Sequence, residues 1–220
     1  MSVRIKTFDR NTQGKDFVVG DIHGCFDKLY LQLIKIGFNR SVDRLFAVGD
    51  LIDRGPHSDR VLTFLDEPWF HTVIGNHERM TVNCYYEDLD EAAYVANGGQ
   101  WFLDLPRSLQ TVIVSVFNAL PILIEVETPS GLVGIAHADC LSTRDDNIQA
   151  ISSQPDKWEP FFTWSRAAAN SYLGMMVKGY RDVFMGHTVV DKHVIKGNMH
   201  FIDNGAWASQ LKRDFLIVQI

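Results

Sequence analysis

Five apolar runs in this chain each end at residues that commonly bind metal ions. With the residues that follow them, the runs read VVGDIHG, AVGDLIDRG, VIGNHE, GIAHAD and FMGHT. A short apolar run of this kind predicts a buried strand, and the small residues at its end favour a sharp turn. In α/β proteins, ligands bind in the crevice beyond the carboxyl ends of the strands. The pattern therefore predicts that these polar side chains meet at one edge of a sheet.

Strands and helices alternate in the first half of the chain. DFVVGD, RLFAVGD and FHTVIGN predict strands, and CFDKLYLQLIKIGF and SDRVLTFLDE predict helices between them. One face of the first helix carries apolar residues, and Gly37 supplies its stop. The residues of that face are Phe26, Leu29, Tyr30, Leu33 and Ile34. The alternation indicates an α/β architecture with helices covering a sheet.

The second half is richer in strands. A helix is predicted over residues 108–120, and another around residues 164–177. The apolar residues at helical spacing in the first of these are Leu109, Val112, Ile113, Val116 and Phe117. From Pro121 onward, strands are predicted in ILIEVET, LVGIAHAD, DVFMGHT, HVIK, HFIDNG and FLIVQI. We therefore expect a single α/β domain over residues 1–220, with two packed mixed β-sheets flanked by helices.

Charge and cysteine content narrow the class of protein. The formal net charge of −6 argues against broad nucleic-acid binding, which requires a basic face. The three cysteines are scattered and odd in number, so a disulfide framework is not expected. No apolar stretch has the length of a signal peptide or a membrane span. These features predict a cytoplasmic protein that binds neither nucleic acid nor membrane.

The polar residues after the strands form a mixed set of metal-ligand types. Carboxylate and amide oxygens together with imidazoles suit Mn²⁺, Fe²⁺ or Zn²⁺. The candidate ligands are Asp21, His23, Asp50, Asn76, His137 and His187. Six ligands exceed what one tetrahedral ion needs, whereas two ions sharing a bridging carboxylate would use them all. Asp21 and His23 would point to the same side of an extended segment, and the neighbours Asn76 and His77 to opposite sides.

The order of the motifs GDIHG, GDLIDRG and GNHE resembles the signature of calcineurin-like metallophosphoesterases in their Ser/Thr protein phosphatase form. The resemblance is strongest to the small phosphatases of the bacteriophage lambda type and their bacterial relatives. NGGQWF, AHAD, GHT, IDNGA and the sequence Trp164-Ser165-Arg166 add to it. It extends from about Asp16 to the C-terminus.

The resemblance implies a role for each candidate residue. Asp21 and His23 would bind the first metal and Asp50 would bridge both, while Asn76, His137 and His187 would complete the second. His77 would be the general acid that protonates the leaving oxygen, with Asp53 orienting its imidazole. Arg54 and Arg166 would bind the phosphate. The expected cofactors are two divalent ions, Mn²⁺ foremost, with Fe or Zn as alternatives.

The implied activity is protein phosphatase activity on phosphoserine and phosphothreonine, with phosphotyrosine as a further substrate, by direct attack of a metal-bound hydroxide. Its partner would be a phosphoprotein or phosphopeptide. A symmetrical dinucleoside polyphosphate hydrolase is the alternative, because such enzymes share GDIHGC and GNH. Asp53 favours the phosphatase, since the similar nucleotide hydrolases tend to carry another residue there. An inactive scaffold of the same fold is disfavoured because every expected position is filled.

Overall fold

The computed structural model of the chain describes residues 4–171 and 174–220, which form two mixed β-sheets flanked by helices. The strands are β1 Ile5–Phe8, β2 Asp16–Val19, β3 Arg44–Ala47, β4 Phe70–Thr72, β5 Leu123–Thr128, β6 Gly131–Ile135, β7 Asp182–Met185, β8 Val194–Lys196, β9 Met199–Phe201 and β10 Ile217–Gln219. One sheet has the order β1-β5-β6-β7-β9-β8, and the other β10-β2-β3-β4. The predicted α/β architecture of two mixed sheets is confirmed.

The helices lie between and around these strands. They are α1 Phe26–Lys35, α2 Val61–Leu65, α3 Asn76–Tyr85, α4 Glu91–Ala96, α5 Gln100–Leu103, α6 Arg107–Ala119, α7 Arg144–Ser153, α8 Pro155–Trp164 and α9 Ala167–Asn170, with 3₁₀ turns at Ser58–Arg60 and Ser209–Leu211. Among the described residues, no helix is both long enough and apolar enough to cross a bilayer.

Apolar side chains from both sheets pack against each other in one buried cluster. Val18 and Phe46 come from the four-stranded sheet, and Ile124, Ile135 and Phe184 from the six-stranded sheet. Each is at most 1% exposed. Strands buried on both faces read as continuous apolar runs, which explains why these segments lack a clear polar alternation. Burying each such side chain contributes roughly 1.5–3 kcal/mol.

Parallel pairing brings the ends of the motif-bearing strands together. β2 pairs with β3 and β3 with β4, all parallel, while β6 and β7 form a parallel pair in the other sheet. Parallel neighbours end at the same edge, so the loops that follow them are adjacent. The side-chain contacts described below show that the five loops do meet, but they come from both sheets rather than from one edge of a single sheet.

The buried stripe of α1 is narrower than predicted. Phe26, Leu29 and Leu33 are buried, whereas Tyr30 is 38% and Ile34 is 60% exposed. The helix contacts the core along one ridge, which leaves the residues one position further round in solvent. Gly37 has a φ of +72°, so the predicted stop is confirmed by a backbone conformation that favours glycine.

The buried face of α6 is rotated from the predicted one. Ile113 and Phe117 are buried as expected, but Gln110 and Val114 join them. Leu109 and Val112, which were predicted to face the core, are among the exposed apolar residues. Gln110 is accommodated because its side-chain amide donates to the carbonyl of Phe102 at 3.0 Å.

The prediction of one helix around residues 164–177 was wrong. Helices α7 and α8 precede that range, and only the short α9 lies within it. Pro155 stands in the first turn of α8, where its missing N–H costs nothing. Residues 172 and 173 of the predicted range lie outside the described residues. Strand β1 and helices α3 to α5 had not been predicted.

Candidate metal centre and active site

The predicted site residues lie in the turns that follow five strands. Asp21 and His23 follow β2, Asp53 and Arg54 belong to the turn after β3 that begins with Asp50, and Asn76 and His77 open helix α3. His137 and His187 follow β6 and β7. The six candidate ligands Asp21, His23, Asp50, Asn76, His137 and His187 are all buried. The structure therefore brings ligands from both sheets into one buried cluster.

Several of these residues have a left-handed backbone. The φ angle is +45° at His23, +51° at Asp50, +68° at Asp53, +64° at Arg54 and +61° at His187. Such conformations cost of order 1–3 kcal/mol for residues other than glycine and persist where the surroundings hold them. The extended geometry expected for the segment from Asp21 to His23 is therefore wrong, because the chain turns at His23.

Asn76 and His77 are not extended either. They are the first two residues of α3, after Gly75 at its N-cap. Successive side chains on a helix diverge by about 100° rather than by the 180° of a strand. The side chains still reach different partners, because Asn76 meets the histidines of the six-stranded sheet and His77 meets Asp53.

Three ligand atoms converge on one side of the cluster. Asn76 Oδ1 lies 2.8 Å from both His137 Nε2 and His187 Nδ1. The other nitrogens of these rings are held by backbone carbonyls, His137 Nδ1 by Val48 at 2.7 Å and His187 Nε2 by Trp164 at 3.2 Å. A backbone acceptor on one ring nitrogen leaves the lone pair of the other nitrogen free for a metal.

Asp50 lies between two groups of donor atoms. Its carboxylate forms one group with His137 and His187 and another with His23 and His77, and within each group the atoms lie within 4.8 Å of one another. Asp50 Oδ1 is 3.4 Å from His137 Nε2, and Oδ2 is 3.7 Å from His23 Nε2. This shared position is the one that a bridging carboxylate requires.

Asp21 lies at the edge of these groups, outside both. Its oxygens accept the backbone N–H of His187 at 3.1 and 3.2 Å. Burial raises the pKa of Asp21, and the carboxylates of Asp203 and Asp50 raise it further. Burial also raises the pKa of Asp203 to about 6. Buried carboxylates that oppose each other's ionisation are stabilised by a bound cation, so the donor set fits divalent metal ions.

The imidazoles of the cluster fall into two electrostatic classes. Burial lowers the pKa of His23 and His137, and burial with the neighbouring His137 lowers that of His187 to about 3. Neutral imidazoles are the form that binds metals. Burial would also lower the pKa of His77, but Asp50 and then Asp53 raise it above its ordinary value. His77 therefore favours the protonated form that a general acid needs.

His77 and Asp53 form a fully buried pair. His77 Nδ1 lies 2.6 Å from Asp53 Oδ2, and both side chains have no exposure to solvent. His77 Nε2 is buried and has no hydrogen-bond partner among the described residues. It lies 3.9 Å from Asp50 Oδ2, so it faces the metal cluster. A protonated ring in this position can donate into the site.

The two predicted phosphate-binding arginines lie near the candidate ligands. Arg54 Nη1 is 3.0 Å from His23 Nε2. Arg166 donates from Nη1 to the carbonyl of His187 and to Thr188 Oγ1, each at 3.0 Å. Arg54 follows strand β3 and Arg166 lies between helices α8 and α9, and their planar guanidinium groups suit phosphate oxygens.

Sequence reasoning missed a set of buried residues that support the site. Glu78 accepts the backbone N–H groups of Asp50, Leu51 and Gly75 at 3.0, 2.8 and 2.8 Å, which joins the turn after β3 to the start of α3. The other missed residues are Tyr94, Trp101, Asp203 and Trp207. Glu78, Trp101, Asp203 and Trp207 lie within or beside the quoted motifs GNHE, NGGQWF and IDNGA, which was the available signal.

The family model of calcineurin-like phosphoesterases matches residues 17–191. The match spans most of the chain and includes every predicted ligand. The chain belongs to the calcineurin-like phosphoesterase family. Members of this family use a dinuclear metal centre, and the two donor groups that share Asp50 are consistent with one here. This calcineurin-like phosphoesterase is therefore a metal-dependent phosphatase.

Bacterial relatives resemble the chain over nearly its whole length. The serine/threonine-protein phosphatase 2 of Escherichia coli is 43% identical over 193 residues, which are 86% of this chain and 87% of that protein. The serine/threonine-protein phosphatase 2 of Salmonella typhimurium is 33% identical over 196 residues, 88% of each chain. A symmetrical bis(5'-nucleosyl)-tetraphosphatase of Actinobacillus pleuropneumoniae is 44% identical over only 64 residues, 28% of this chain and 24% of that protein.

Solved structures share the fold. A protein serine/threonine phosphatase from Saccharomyces cerevisiae superposes with a TM-score of 0.61 at 20% identity, covering 100% of this chain and 84% of that one. A cold-active protein tyrosine phosphatase superposes with a TM-score of 0.64 at 16% identity, covering 99% of this chain and 76% of that one. At these identities the likeness establishes the architecture alone.

Proposed function

We propose that this phosphoesterase is a protein phosphatase that hydrolyses phosphoserine and phosphothreonine monoesters, using two divalent ions of which Mn²⁺ is the expected one. Support comes from the bacterial relatives, which are named serine/threonine-protein phosphatases and match over 86–88% of this chain. The same site would accept phosphotyrosine where a peptide presents it. The mixed oxygen and imidazole donor set supports Mn²⁺, with Fe and Zn as alternatives.

We assign the candidate ligands to two ions as the family resemblance implies. Asp21, His23 and the shared Asp50 would hold one ion, and Asp50 with Asn76, His137 and His187 the other. When bound, the ions would supply positive charge to the phosphate oxygens and lower the pKa of the attacking water. Arg54 and Arg166 would bind the remaining phosphate oxygens, since guanidinium groups stay charged at any working pH.

The observation that carries the proposal is the buried pair of His77 and Asp53. Asp53 holds Nδ1 at 2.6 Å, so the unpartnered Nε2 is the atom that can donate a proton into the site. The alkoxide released from phosphoserine is a strong base that needs this proton as the ester bond breaks. A phosphate released from a polyphosphate anhydride is a weak base and needs it much less. A positioned general acid therefore favours a phosphate monoester of an alcohol as the substrate over a polyphosphate anhydride.

Turnover of two substrates by one preparation tests the substrate class. The purified protein is treated with a chelator, supplied with Mn²⁺, and assayed with a phosphoserine peptide and with diadenosine tetraphosphate. We expect the larger kcat/KM on the peptide. A larger kcat/KM on diadenosine tetraphosphate would instead support the symmetrical hydrolase, to which the 64-residue match points.

The His77→Asn variant tests the assignment of the acid. It should keep two metal equivalents and lose about two to four orders of magnitude in kcat on the phosphoserine peptide. It should lose less on p-nitrophenyl phosphate, because p-nitrophenolate leaves without protonation. Loss of a metal equivalent would show instead that His77 is a ligand, as its place beside His23 and Asp50 also allows.

A further inference from the structure

We propose that Trp101 and Tyr94 are positioning residues that orient Asp53, and through Asp53 the imidazole of His77, for proton donation to the leaving oxygen. The proposal rests on the proposed function, because it concerns the same acid. Among the described residues, neither belongs to the two donor groups that share Asp50. Both donate a hydrogen bond to Asp53 Oδ1, the carboxylate oxygen that is not bonded to His77.

The carboxylate of Asp53 is held from both sides. Its Oδ2 bonds His77 Nδ1 at 2.6 Å. Its Oδ1 accepts the indole N–H of Trp101 at 2.7 Å and the hydroxyl of Tyr94 at 3.3 Å, and its backbone N–H donates to Ser58 Oγ at 2.8 Å. A buried carboxylate with donors on both oxygens cannot rotate without leaving one of them unpaired, which is costly away from water.

Tyr94 lies between Asp53 and Thr81 of helix α3. Its side chain is fully buried, and its hydroxyl lies 2.7 Å from Thr81 Oγ1. When Thr81 is the donor in this contact, the single phenolic proton is left for Asp53 Oδ1 at 3.3 Å. Burial, and then the charge of Asp53, raise the pKa of Tyr94, so the phenol keeps its proton. Tyr94 therefore links Asp53 to helix α3, which carries His77.

The loop between Tyr94 and Trp101 packs against the turn that carries Asp53. Gly98 has a φ of +100°, and a Cβ there would collide with the backbone nitrogen of Arg54. The segment packs directly on the left-handed pair Asp53 and Arg54. The backbone that carries the indole and the phenol is thus held against the turn at Asp53. A residue that orients another side chain must itself be held in place in this way.

Two substitutions remove one donor each, of which Tyr94→Phe is nearly isosteric and Trp101→Phe also makes the ring smaller. Trp101→Phe and Tyr94→Phe keep an aromatic ring and remove the N–H and the O–H. Each should lower kcat on a phosphoserine peptide and on glycerol 2-phosphate by about tenfold, in line with the loss of a hydrogen bond to a charged group. The loss on p-nitrophenyl phosphate should stay below about threefold, because its leaving group needs little protonation. KM and metal content should be unchanged.

Tyr180→Phe is the matched control. Tyr180 donates its hydroxyl to the buried carboxylate of Glu125 at 2.7 Å, in the six-stranded sheet and outside the site. The substitution removes the same kind of bond as Tyr94→Phe, with the same small loss of packing. It should leave the ratio of kcat between alkyl and aryl phosphates at the parent value, so a general loss of stability is separated from an effect on proton donation.

A double-mutant comparison closes the test. If Trp101 acts through Asp53, adding Trp101→Phe to Asp53→Asn should change kcat by less than about twofold, since the charge it orients is already gone. Equal losses on alkyl and aryl substrates, a changed metal content, or the full tenfold loss in the Asp53→Asn background would each overturn the proposal.

The failure of the proposed function has a different signature. A parent enzyme that hydrolyses glycerol 2-phosphate but not the phosphoserine peptide would contradict the protein substrate, while the alkyl-to-aryl ratio of the variants would still decide the role of Trp101 and Tyr94. A parent that hydrolyses only diadenosine tetraphosphate would contradict both.

Discussion

The indole of Trp207 lies over the guanidinium of Arg54, whose Cζ is 4.7 Å from the ring centroid. The same indole donates from Nε1 to the buried carboxylate of Asp203 at 3.2 Å and meets the ring of His23 edge-on. Trp207 therefore connects a proposed phosphate-binding residue to the buried carboxylate of Asp203 and to the ring of His23. The ring contact adds to the hydrogen bond between Arg54 Nη1 and His23 Nε2, so the guanidinium is held from two sides.

Replacing Trp207 should weaken phosphate binding. Trp207→Leu should raise KM for a phosphoserine peptide about fivefold, as expected for the loss of a cation–π contact of roughly 1 kcal/mol. Trp207→Phe keeps a ring under Arg54 and should retain most of the affinity. Steady-state kinetics at saturating Mn²⁺ measure both. A KM for Trp207→Leu that equals the parent value would remove the indole from phosphate binding.

Asp50→Asn should lower the affinity for both metal ions, because an amide bridges poorly and carries no charge. Elemental analysis of the purified variant should find fewer than two equivalents, with turnover greatly reduced. Asp191→Asn is the control, since Asp191 is exposed and, within the part of the chain that the structure describes, forms its ion pair with Arg213 on the surface. Two retained equivalents and normal turnover in Asp50→Asn would contradict a shared carboxylate.

Gly98→Ala should impair catalysis as well as stability. An alanine there would adopt a strained φ of +100° and drive its Cβ into the backbone of Arg54. We expect a loss of roughly 1–3 kcal/mol in the free energy of unfolding, with a fall in kcat. Gly37→Ala is the matched control, because its φ is +72° but nothing lies within 4 Å of the added Cβ.

The control should lose stability, by about 1 kcal/mol, and keep the parent kcat. Chemical denaturation and steady-state kinetics of the two variants separate the effect of backbone strain from the effect of the steric clash with Arg54. Equal kcat values in Gly98→Ala and Gly37→Ala would show that the loop at Gly98 does not position the turn at Asp53.

Acid should destabilise the fold partly through His71. Its ring packs against Phe8 and Phe46, and burial together with Lys6 and Arg44 lowers its pKa to about 4. The unfolded chain binds this proton near pH 6.5 and the folded chain only near pH 4, so stability falls as the pH drops through that window.

His71→Phe removes this proton and should reduce the loss of unfolding free energy between pH 7 and pH 4.5 by about 1–3 kcal/mol. Urea denaturation of parent and variant at both pH values gives the difference, in which contributions from the other histidines cancel. An identical pH dependence in the two proteins would show that His71 is not involved.

The sequence by itself determined the strands that precede the motifs, the motifs at their ends and the family. Apolar runs such as those before Asp21 and Asp50 are local signals, because a strand buried on both faces must be apolar along its whole length. The parallel order of those strands then places their ends together, so the identity of the candidate ligands was readable before any contact was known. The stop at Gly37 is local in the same way.

Tertiary structure alone decided what surrounds each candidate residue. Tyr30 and Ile34 are exposed and Gln110 is buried because packing, not the apolar pattern, selects the face of a helix. Trp101 reaches Asp53 across 48 positions of sequence, and no local pattern encodes such a contact. Which nitrogen of His77 can donate a proton was likewise not readable from the sequence. It follows from the contact of Nδ1 with Asp53, which leaves Nε2 without a hydrogen-bond partner among the described residues.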